Sequence, residues 1–392
     1  MNVLSEIKGL SEKYFEDIRK YRRHLHANPE LSFKEFETSK FIASILNNNG
    51  ISFSDGIAET GILAEIKGRN PDSKLIALRA DMDALPIQEA NQISYASQNE
   101  GVMHACGHDV HSSSLIGTAL ILNDLKEHWE GTIQFIFQPG EEKLPGGASL
   151  MLKGGIFEKA SPSKIIGQHV YPELEVGKVG FKGGKYMAST DEIYLKVIGK
   201  GGHGALPHRN IDPVLISSHI IVGLQQLISR KARPDIPSVL SFGKIIGLGA
   251  TNVIPDHVTL EGTFRTVNEN WRDEAHKLIS DIAQGIASSM GGKCELEIKK
   301  GYPCLINNEK LTAQNIEAAK HYLGEENVEE LSIRMTAEDF SFFAQEVPGC
   351  FYRLGTANSS EGINAPVHNA RFNIDEEALK IGPGLMAWLA IQ

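Results

Sequence analysis

The sequence predicts a two-domain α/β protein in which a smaller α+β domain is inserted into a larger one. Its 392 residues exceed what one hydrophobic core usually organises, so we expect two domains of about 100–250 residues each. Apolar strand-like runs alternate with helical patterns in the first part, which is typical of an α/β layer architecture. From about Ala188 the strands become half-polar, as in an antiparallel sheet with one exposed face.

The larger domain is predicted as helices alternating with buried strands. Hydrophobic periodicity indicates two helices between Ser5 and Asn48, broken at Asn28-Pro29, and a long amphipathic helix from Val110 to about Lys126. The strands are predicted at 62–66, 75–79, 132–137 and 164–166, and a helix near 308–323 and a strand at 351–354 return the chain to this domain. These elements predict a mixed sheet covered by helices.

The inserted domain is predicted at residues 187–299, between parts of the larger domain at 1–186 and 300–392. Its strands are expected at 192–197, 238–245, 258–265 and 294–298, and its helices at 212–229 and 270–290. The resulting β-α-β-β-α-β order is that of a split, ferredoxin-like α+β unit.

Charge and composition exclude several classes of protein. A formal net charge of -10 argues against a nucleic-acid or anionic-membrane surface, since either favours a basic patch. The N-terminal segment carries charges throughout, and no stretch approaches the roughly 20 apolar residues of a membrane span. Four scattered cysteines are too few for a disulfide framework. We therefore expect a cytoplasmic enzyme with no membrane or nucleic-acid partner.

Candidate metal ligands follow the strands of the larger domain, where open α/β sheets usually bind ligands. The first strands lead into Asp81-Met82-Asp83, Glu141-Glu142 and His169, and His368 follows the late strand. A lone histidine is more often structural than functional, but the coincidence of these groups at strand ends favours a metal site.

A dense cluster, His104-Ala105-Cys106-Gly107-His108-Asp109, precedes the long predicted helix. Cys106 and His108 offer a thiolate and an imidazole across a glycine-containing turn. A buried inert cysteine is the ordinary alternative, and the surrounding histidines argue against it. Adjacent residues on an extended segment point to opposite sides, so we expect one of Glu141 and Glu142 to bind metal and the other to hold the attacking water.

These motifs resemble the M20 metallopeptidase family, specifically its amidohydrolase branch of hippurate hydrolases, auxin-conjugate hydrolases and N-acetyldiaminopimelate deacetylases. The resemblance spans nearly the whole chain and rests on several motifs, namely Arg22-Arg23-His24-Leu25-His26 with Pro29-Glu30, Arg79-Ala80-Asp81-Met82-Asp83-Ala84-Leu85-Pro86, His104-Ala105-Cys106-Gly107-His108-Asp109, Pro139-Gly140-Glu141-Glu142, Gly202-His203-Gly204-Ala205-Leu206-Pro207-His208, Asn252-Val253-Ile254-Pro255 and Ala337-Glu338-Asp339-Phe340. Such a combination is highly specific.

The resemblance implies a role for each matched residue. The metal ligands would be Cys106, His108, Glu142, His169 and His368. Glu141 would be the general base, and Asp83 would orient a ligand. In the inserted domain, which the family uses for dimerisation, His203 would reach the substrate carbonyl, often across the dimer, while Asn252 and Arg265 would bind the substrate carboxylate. A homodimer is therefore expected.

One departure from the wider family concerns the number of metal ions. Peptidases elsewhere in the family have histidine at the position of Asp81 and a bridging aspartate near that of His108. A neutral imidazole does not readily bridge two metals, whereas the Cys106 thiolate can. We expect one or two divalent ions per subunit, with zinc favoured by thiolate and imidazole, and manganese, cobalt or nickel permitted by the carboxylate.

The expected reaction is metal-assisted hydrolysis of the amide bond of N-acyl amino acids or related conjugates, with Glu141 transferring protons. Three alternatives remain open at this point. Cys106 could act as a nucleophile with His108 as its base, although this leaves Glu142, His169 and His368 without a common purpose. The chain could be a dipeptidase or aminopeptidase. It could also be an inactive metal-binding homologue, but such a protein has no need of Glu141.

Overall fold

The computed structural model describes residues 2–392, and the chain divides into two compact units. The first unit comprises residues 2–184, 306–332 and 339–392, and the second comprises Lys185–Leu305 and Ile333–Glu338. The second unit thus differs from the expected 187–299 because it takes in a later segment. The Ala188 amide donates to the carbonyls of Arg334 and Thr336, both at 3.1 Å. Such long-range backbone bonds leave no local pattern in the sequence.

The elements follow in chain order. The first stretch contains α1 (Val3–Ala27), α2 (Phe36–Asn48), β1 (Ser52–Ile57), β2 (Gly61–Lys67), β3 (Leu75–Asp81), α3 (His108–Asp124), β4 (Thr132–Gln138), α4 (Gly147–Lys153), β5 (Lys164–Glu175), β6 (Val179–Phe181) and β7 (Gly184–Met187). The middle stretch contains β8 (Asp191–Ile198), β9 (Gly202–His203), α5 (Pro213–Gln226), β10 (Ser238–Ile246), β11 (Val253–Ile254), β12 (His257–Thr266), α6 (Glu269–Ser289) and β13 (Lys293–Lys300). The last stretch contains β14 (Leu305–Asn307), α7 (Glu309–Leu323), β15 (Val328–Glu330), α8 (Phe340–Glu346), β16 (Gly349–Ala357) and α9 (Ala378–Ile391).

The first unit is built on an eight-stranded mixed sheet with the order β1-β2-β4-β3-β5-β16-β6-β15. Strand β3 pairs in parallel with both β4 and β5, and β5 pairs in parallel with β16. The carboxyl ends of these neighbouring strands therefore meet at one edge, which is the edge where the sequence places its candidate ligands. The predicted mixed-sheet α/β class is confirmed.

Helix α3 differs from its prediction in a way that matters for the site. It begins at His108 rather than Val110, and every residue from His108 to Leu122 is buried. The helix contacts α1, α9 and β3, so the exposed face that an amphipathic helix requires is missing. The prediction of an amphipathic helix was wrong, because a helix covered on all sides can carry apolar residues around its whole circumference.

The second unit contains a four-stranded antiparallel sheet with the order β10-β12-β8-β13 and two helices, α5 and α6, packed on it. Strand β8 shows the expected alternation, with Ile193, Leu195 and Val197 buried in the core of this unit and Glu192 and Lys196 exposed. The short antiparallel pair β9 and β11 was not predicted. Across residues 2–392, none of the helices combines the length and apolar character needed to cross a membrane.

Candidate metal centre

Cys106 and His108 stand on either side of a sharp turn that opens α3. Gly107 between them has φ 80°, in the left-handed region that favours glycine. A Cβ atom at this position would lie 2.6 Å from a methyl carbon of Val170 in β5. The turn therefore fits closely against β5, and His108 becomes the first residue of α3. Both side chains are buried.

His108 is oriented by a carboxylate on the strand next to it. Its Nδ1 lies 3.1 Å from Oδ1 of Asp83, so the imidazole proton is held at Nδ1 and the lone pair remains on Nε2. The pKa of Asp83 is lowered: burial opposes its charge, but hydrogen bonds from His108, Ser32 and the Glu142 amide outweigh burial. Asp83 thus lies within hydrogen-bond distance of His108, and the role of orienting acid that the resemblance implies stays a prediction.

His169 in β5 presents a nitrogen lone pair to the same place. Its Nδ1 donates to the carbonyl of Val170 at 2.8 Å, which leaves Nε2 as an acceptor 3.5 Å from the Cys106 sulfur. Burial lowers the pKa of His169 well below its usual value, so the neutral imidazole that metals require is favoured. One donor atom each from Cys106, His108 and His169 lie within 4.8 Å of one another.

Glu142 and His368 form a second donor group with the same cysteine. One donor atom each from Cys106, Glu142 and His368 lie within 4.8 Å of one another, and His368 Nε2 is 3.1 Å from Glu142 Oε1. His368 has φ 63°, an uncommon conformation for a residue with a side chain and one that is frequent at ligand-binding positions. Its amide donates to the carbonyl of Ala105 at 2.7 Å, which fixes the loop beside Cys106.

Glu141 lies in a bend after β4 rather than on an extended segment. The expectation that Glu141 and Glu142 point to opposite sides was wrong, because one oxygen of each lies in a common 4.8 Å group with a nitrogen of His108. Glu141 is buried, and its Oε1 accepts the Asp339 amide at 3.3 Å. A second carboxylate is therefore held beside the ligand groups.

A buried polar network under this site was not predicted from the sequence. Arg79 donates to Gln138 and forms ion pairs with Asp81 and Asp339, each contact at 2.8 Å. Asp339 also accepts the Ala148 amide at 3.0 Å. Side chains alternate between the two faces of a strand, so Arg79 and Asp81 lie on the same face of β3. The contact between these two residues could therefore have been predicted from the sequence.

His111 lies near the ligands but is occupied by protein groups. Its Nδ1 lies 2.6 Å from Asp81 Oδ1, and its Nε2 accepts the Val170 amide at 2.8 Å. Both nitrogens are therefore used, although Asp81, His108 and His111 form a cluster of metal-type side chains. His111 instead ties α3 to β5 next to His169.

The donor set fits a divalent metal ion. The buried Nε2 of His108 has no hydrogen-bond partner among residues 2–392, and an unsatisfied buried polar atom costs about 1–3 kcal/mol. Burial and the neighbouring Glu142 raise the pKa of the Cys106 thiol, so its thiolate form needs a cation beside it. A metal ion satisfies both requirements, and sulfur with two imidazoles is a donor set that zinc prefers.

The three remaining candidate residues lie in the second unit. His203 in β9 is exposed, and its Nδ1 accepts the Ala205 amide at 3.0 Å, which places its proton on Nε2 as a hydrogen-bond donor. Asn252 is in an adjacent turn, and its carbonyl accepts the Gly204 amide at 2.8 Å. Arg265 in β12 is half-buried and donates from Nη1 to the carbonyl of Met335 at 3.4 Å.

The chain matches known proteins over nearly its whole length. The model of peptidase family M20/M25/M40 matches residues 77–391. The chain is 39% identical over 371 residues to N-acetylcysteine deacetylase from Bacillus subtilis (strain 168), covering 94% of this chain and 95% of that protein. It is 37% identical over 395 residues to thermostable carboxypeptidase 2 from Saccharolobus solfataricus, covering 100% and 99%.

A solved structure shows the same fold. The Bacillus subtilis YXEP protein, described as a dinuclear metal binding peptidase from the M20 family, superposes with a TM-score of 0.83 at 36% identity, covering 97% of this chain and 98% of that one. Fold and site together define a metal-dependent hydrolase of amide C–N bonds. The chain belongs to peptidase family M20/M25/M40, and the resemblance drawn from its motifs is confirmed.

Proposed function

We propose that the protein hydrolyses the amide bond of N-acyl amino acids, releasing a carboxylic acid and a free amino acid. The observation that carries this proposal is the buried Glu141 carboxylate beside two donor groups that share Cys106. The substrate class is supported by the 39% identity to N-acetylcysteine deacetylase across nearly the full length of both chains.

The two donor groups support a site for two ions. Cys106, His108 and His169 form one group, and Cys106, Glu142 and His368 form the other. Cys106 is common to both groups, so its thiolate would be shared if both groups held an ion. Divalent ions held by these residues would supply Lewis acidity for the amide carbonyl and for the attacking water.

The chain's own residues then have distinct tasks. Glu141 takes the proton of the attacking water and passes it to the leaving nitrogen, for which a buried carboxylate near the ligands is suited. Asp83 keeps the proton of His108 on Nδ1 so that Nε2 faces the site. His203, with its proton on Nε2, is the candidate donor to the substrate carbonyl oxygen.

Cysteine nucleophilic catalysis is less well supported. A nucleophilic cysteine needs a lowered thiol pKa, whereas burial raises the pKa of Cys106. That mechanism also gives no reason for Glu142 and His368 to lie beside the sulfur. An inactive metal-binding protein has no use for Glu141.

Arg265 is the proposed anchor for the carboxylate of the substrate. Among residues 2–392 its guanidinium makes one hydrogen bond, to the carbonyl of Met335, so several N–H donors remain for a ligand. Arginine binds carboxylates through paired, charge-assisted hydrogen bonds. We propose that Asn252 assists at the same end of the substrate.

A second candidate function is cleavage of peptides at the carboxyl terminus. It is favoured by the 37% identity to thermostable carboxypeptidase 2 from Saccharolobus solfataricus. Both reactions leave a free amino acid, so the two substrates differ on the acyl side of the scissile bond.

A substrate panel distinguishes these activities. Protein reconstituted with zinc, manganese, cobalt or nickel is assayed for release of free amino acid from N-acetyl amino acids, N-benzoyl amino acids and dipeptides. The proposal requires higher kcat/KM for the acylated substrates and a kcat at least ~100-fold lower in Glu141→Gln, with the exposed Glu127→Gln as a matched control. Preference for dipeptides would favour the peptidase, and no turnover with any metal would contradict both.

We further propose that the protein is a homodimer through the second unit. Strand β10 is an edge strand of its sheet, and unpaired edges are sites of pairing with another chain. Large apolar side chains are exposed on and near this edge and on α5, including Ile245, Leu248, Leu215 and Val222, the last two with 50% and 72% exposure. An apolar surface of this kind favours association.

Light scattering coupled to size-exclusion chromatography measures the mass. The wild type is expected to elute as a dimer and Val222→Glu combined with Leu248→Glu as a monomer, while Ile306→Glu, at an exposed apolar residue on β14, remains dimeric. A monomeric wild type would contradict the dimer proposal.

We also propose a cytoplasmic location, which is supported by four cysteines that are all free thiols.

A further inference from the structure

The carboxylate of Glu35 joins segments that are distant in sequence. Its Oε1 accepts the amide of Phe33 at 2.9 Å and the amide of Gly140 at 2.8 Å, and its Oε2 accepts the hydroxyl of Thr60 at 2.8 Å. The side chain is fully buried. One of its partners, Gly140, immediately precedes the proposed general base Glu141.

The backbone at Gly140 is closely fitted to this segment. Gly140 has φ 56° and Phe33 has φ 65°, so both residues adopt the left-handed conformation. A Cβ atom on Gly140 would lie 2.3 Å from a ring carbon of Phe33, which only glycine avoids. The other side of the bend is closed by the Gly147 amide, which donates to the Gly140 carbonyl at 3.0 Å. The bend that carries Glu141 therefore rests on Phe33 and Glu35.

The position of Glu35 before α2 does not explain its burial. The side chain of Glu35 makes no capping bond to α2. That task is performed by Glu30, whose carboxylate oxygens accept the amides of Glu37 at 3.2 Å and Thr38 at 2.8 Å. The same segment thus contains one carboxylate that serves the helix and another that serves the Gly140 bend.

Glu35 is also an unfavourable place for a negative charge. Burial and the nearby Asp83 raise the pKa of Glu35 to about 7, and among residues 2–392 it forms no ion pair with a cationic side chain. Burying Glu35 as an anion is costly, and Glu35 does not cap its own helix. We therefore attribute its burial to the positions in which it holds its hydrogen-bond partners.

We propose that Glu35 is a positioning residue that holds the Glu141–Glu142 bend in place by accepting the amide hydrogen of Gly140. This rests on the proposed role of Glu141 as general base. Because Oε1 accepts both backbone amides and Oε2 meets only a hydroxyl, the hydrogen bonds do not require a charge. A glutamine oxygen can accept both amides while its NH₂ group donates to Thr60.

Three variants test the proposal by kinetics. Glu35→Ala removes the acceptor and is expected to lower kcat at least ~10-fold, since small displacements of catalytic groups cost up to ~100-fold. Because Glu142 lies in the same bend, kcat is measured at saturating metal, with metal content checked by elemental analysis. Glu35→Gln is expected to keep kcat within about threefold, because its hydrogen bonds are retained. The matched control Glu30→Ala is expected to lower the melting temperature through loss of its capping bonds while leaving kcat unchanged.

Hydrogen exchange gives a readout that does not depend on turnover. In the peptide covering residues 139–143, measured by mass spectrometry, Glu35→Ala is expected to exchange faster than wild type, and Glu35→Gln is expected to match wild type. Wild-type kcat in Glu35→Ala, an equal loss in Glu35→Gln, or unchanged exchange in Glu35→Ala would each overturn the proposal. If the wild type hydrolyses none of the substrates, the proposed function fails, and the exchange experiment still decides the role of Glu35.

Discussion

Replacing Asp83 by asparagine tests how the site keeps His108 in its metal-binding form. Asp83 Oδ1 faces His108 Nδ1 at 3.1 Å, and Oδ2 accepts the Ser32 hydroxyl at 2.6 Å and the Glu142 amide at 2.9 Å. The side chain is buried. The carboxylate therefore acts only as an acceptor, and it holds two of the proposed ligand residues.

An asparagine at position 83 has one acceptor oxygen and an NH₂ group. If the oxygen faces Ser32 and the Glu142 amide, the NH₂ group faces His108 Nδ1. Two donors then oppose each other, and His108 relieves the conflict by moving its proton to Nε2, the atom that is proposed to bind the metal. Loss of such an orienting partner typically lowers metal affinity by about 10–100-fold, or about 1.4–2.8 kcal/mol.

The assay is a competition titration of metal-free protein with a chromophoric chelator, followed by elemental analysis of the dialysed protein. Asp83→Asn is expected to bind its metal about 10–100-fold more weakly, with kcat restored in part by excess metal. The exposed Asp72→Asn controls for the loss of a negative charge. Unchanged metal affinity in Asp83→Asn would refute the argument that Asp83 fixes the tautomer of His108.

The other predictions concern protons and charge. Glu141→Gln is expected to lower kcat by at least ~100-fold while elemental analysis still finds the metal bound. Loss of the metal would instead mean that Glu141 is the ligand and Glu142 the general base. Removal of the metal by a chelator should abolish hydrolysis, and added zinc should restore it. Because a Cys106 ligand must lose its proton, competition titrations should show weaker metal affinity as the pH is lowered. Arg265→Ala should lower kcat/KM by ~10–100-fold for an N-acyl amino acid and much less for its neutral amide, and equal losses would exclude carboxylate recognition. For Glu35, the folded pKa of about 7 lies above the ordinary 4.5, so its stabilising effect is present below pH 4.5 and is lost as the pH rises through 7. In urea titrations of metal-free protein, the free energy of unfolding of Glu35→Gln should therefore exceed that of wild type by about 3 kcal/mol at pH 8 and by much less at pH 5. An equal difference at the two pH values would contradict the pKa shift.

Local sequence patterns were sufficient to predict the strands and the metal-type groups that follow them. The apolar runs before Asp81 and Glu141 form β3 and β4, and these strands pair in parallel as an α/β sheet requires. Because such strands end at a common edge, side chains that follow them are brought together without knowledge of the long-range fold. The cluster of metal-type groups could therefore be expected from its order in the sequence, whereas the role of each residue was implied only by the resemblance to the family.

Groups that support the site could not be identified in this way. The Glu35 carboxylate meets the Gly140 amide across 105 residues of sequence, and Arg79 meets Asp339 across 260. Such contacts depend on the register of strands and on how α2 and α8 lie beside them. Helix α9 shows the same limit, since its Pro383 is flanked by glycines, a pattern typical of a chain break, yet it lies within a buried helix.

At positions 81 and 108 this chain differs from peptidases elsewhere in the family, and the contacts of Asp81 offer a physical reason for the difference. Asp81 stands where peptidases elsewhere in the family have histidine, and both of its oxygens contact protein groups, Oδ1 the His111 ring at 2.6 Å and Oδ2 Arg79 at 2.8 Å. It is thereby engaged in holding His111 against the Val170 amide. Cys106, by contrast, belongs to both donor groups. A thiolate is able to contact two ions, which a neutral imidazole at position 108 is not. We therefore propose that Cys106 would be the residue shared by two bound ions, while Asp81 supports His111.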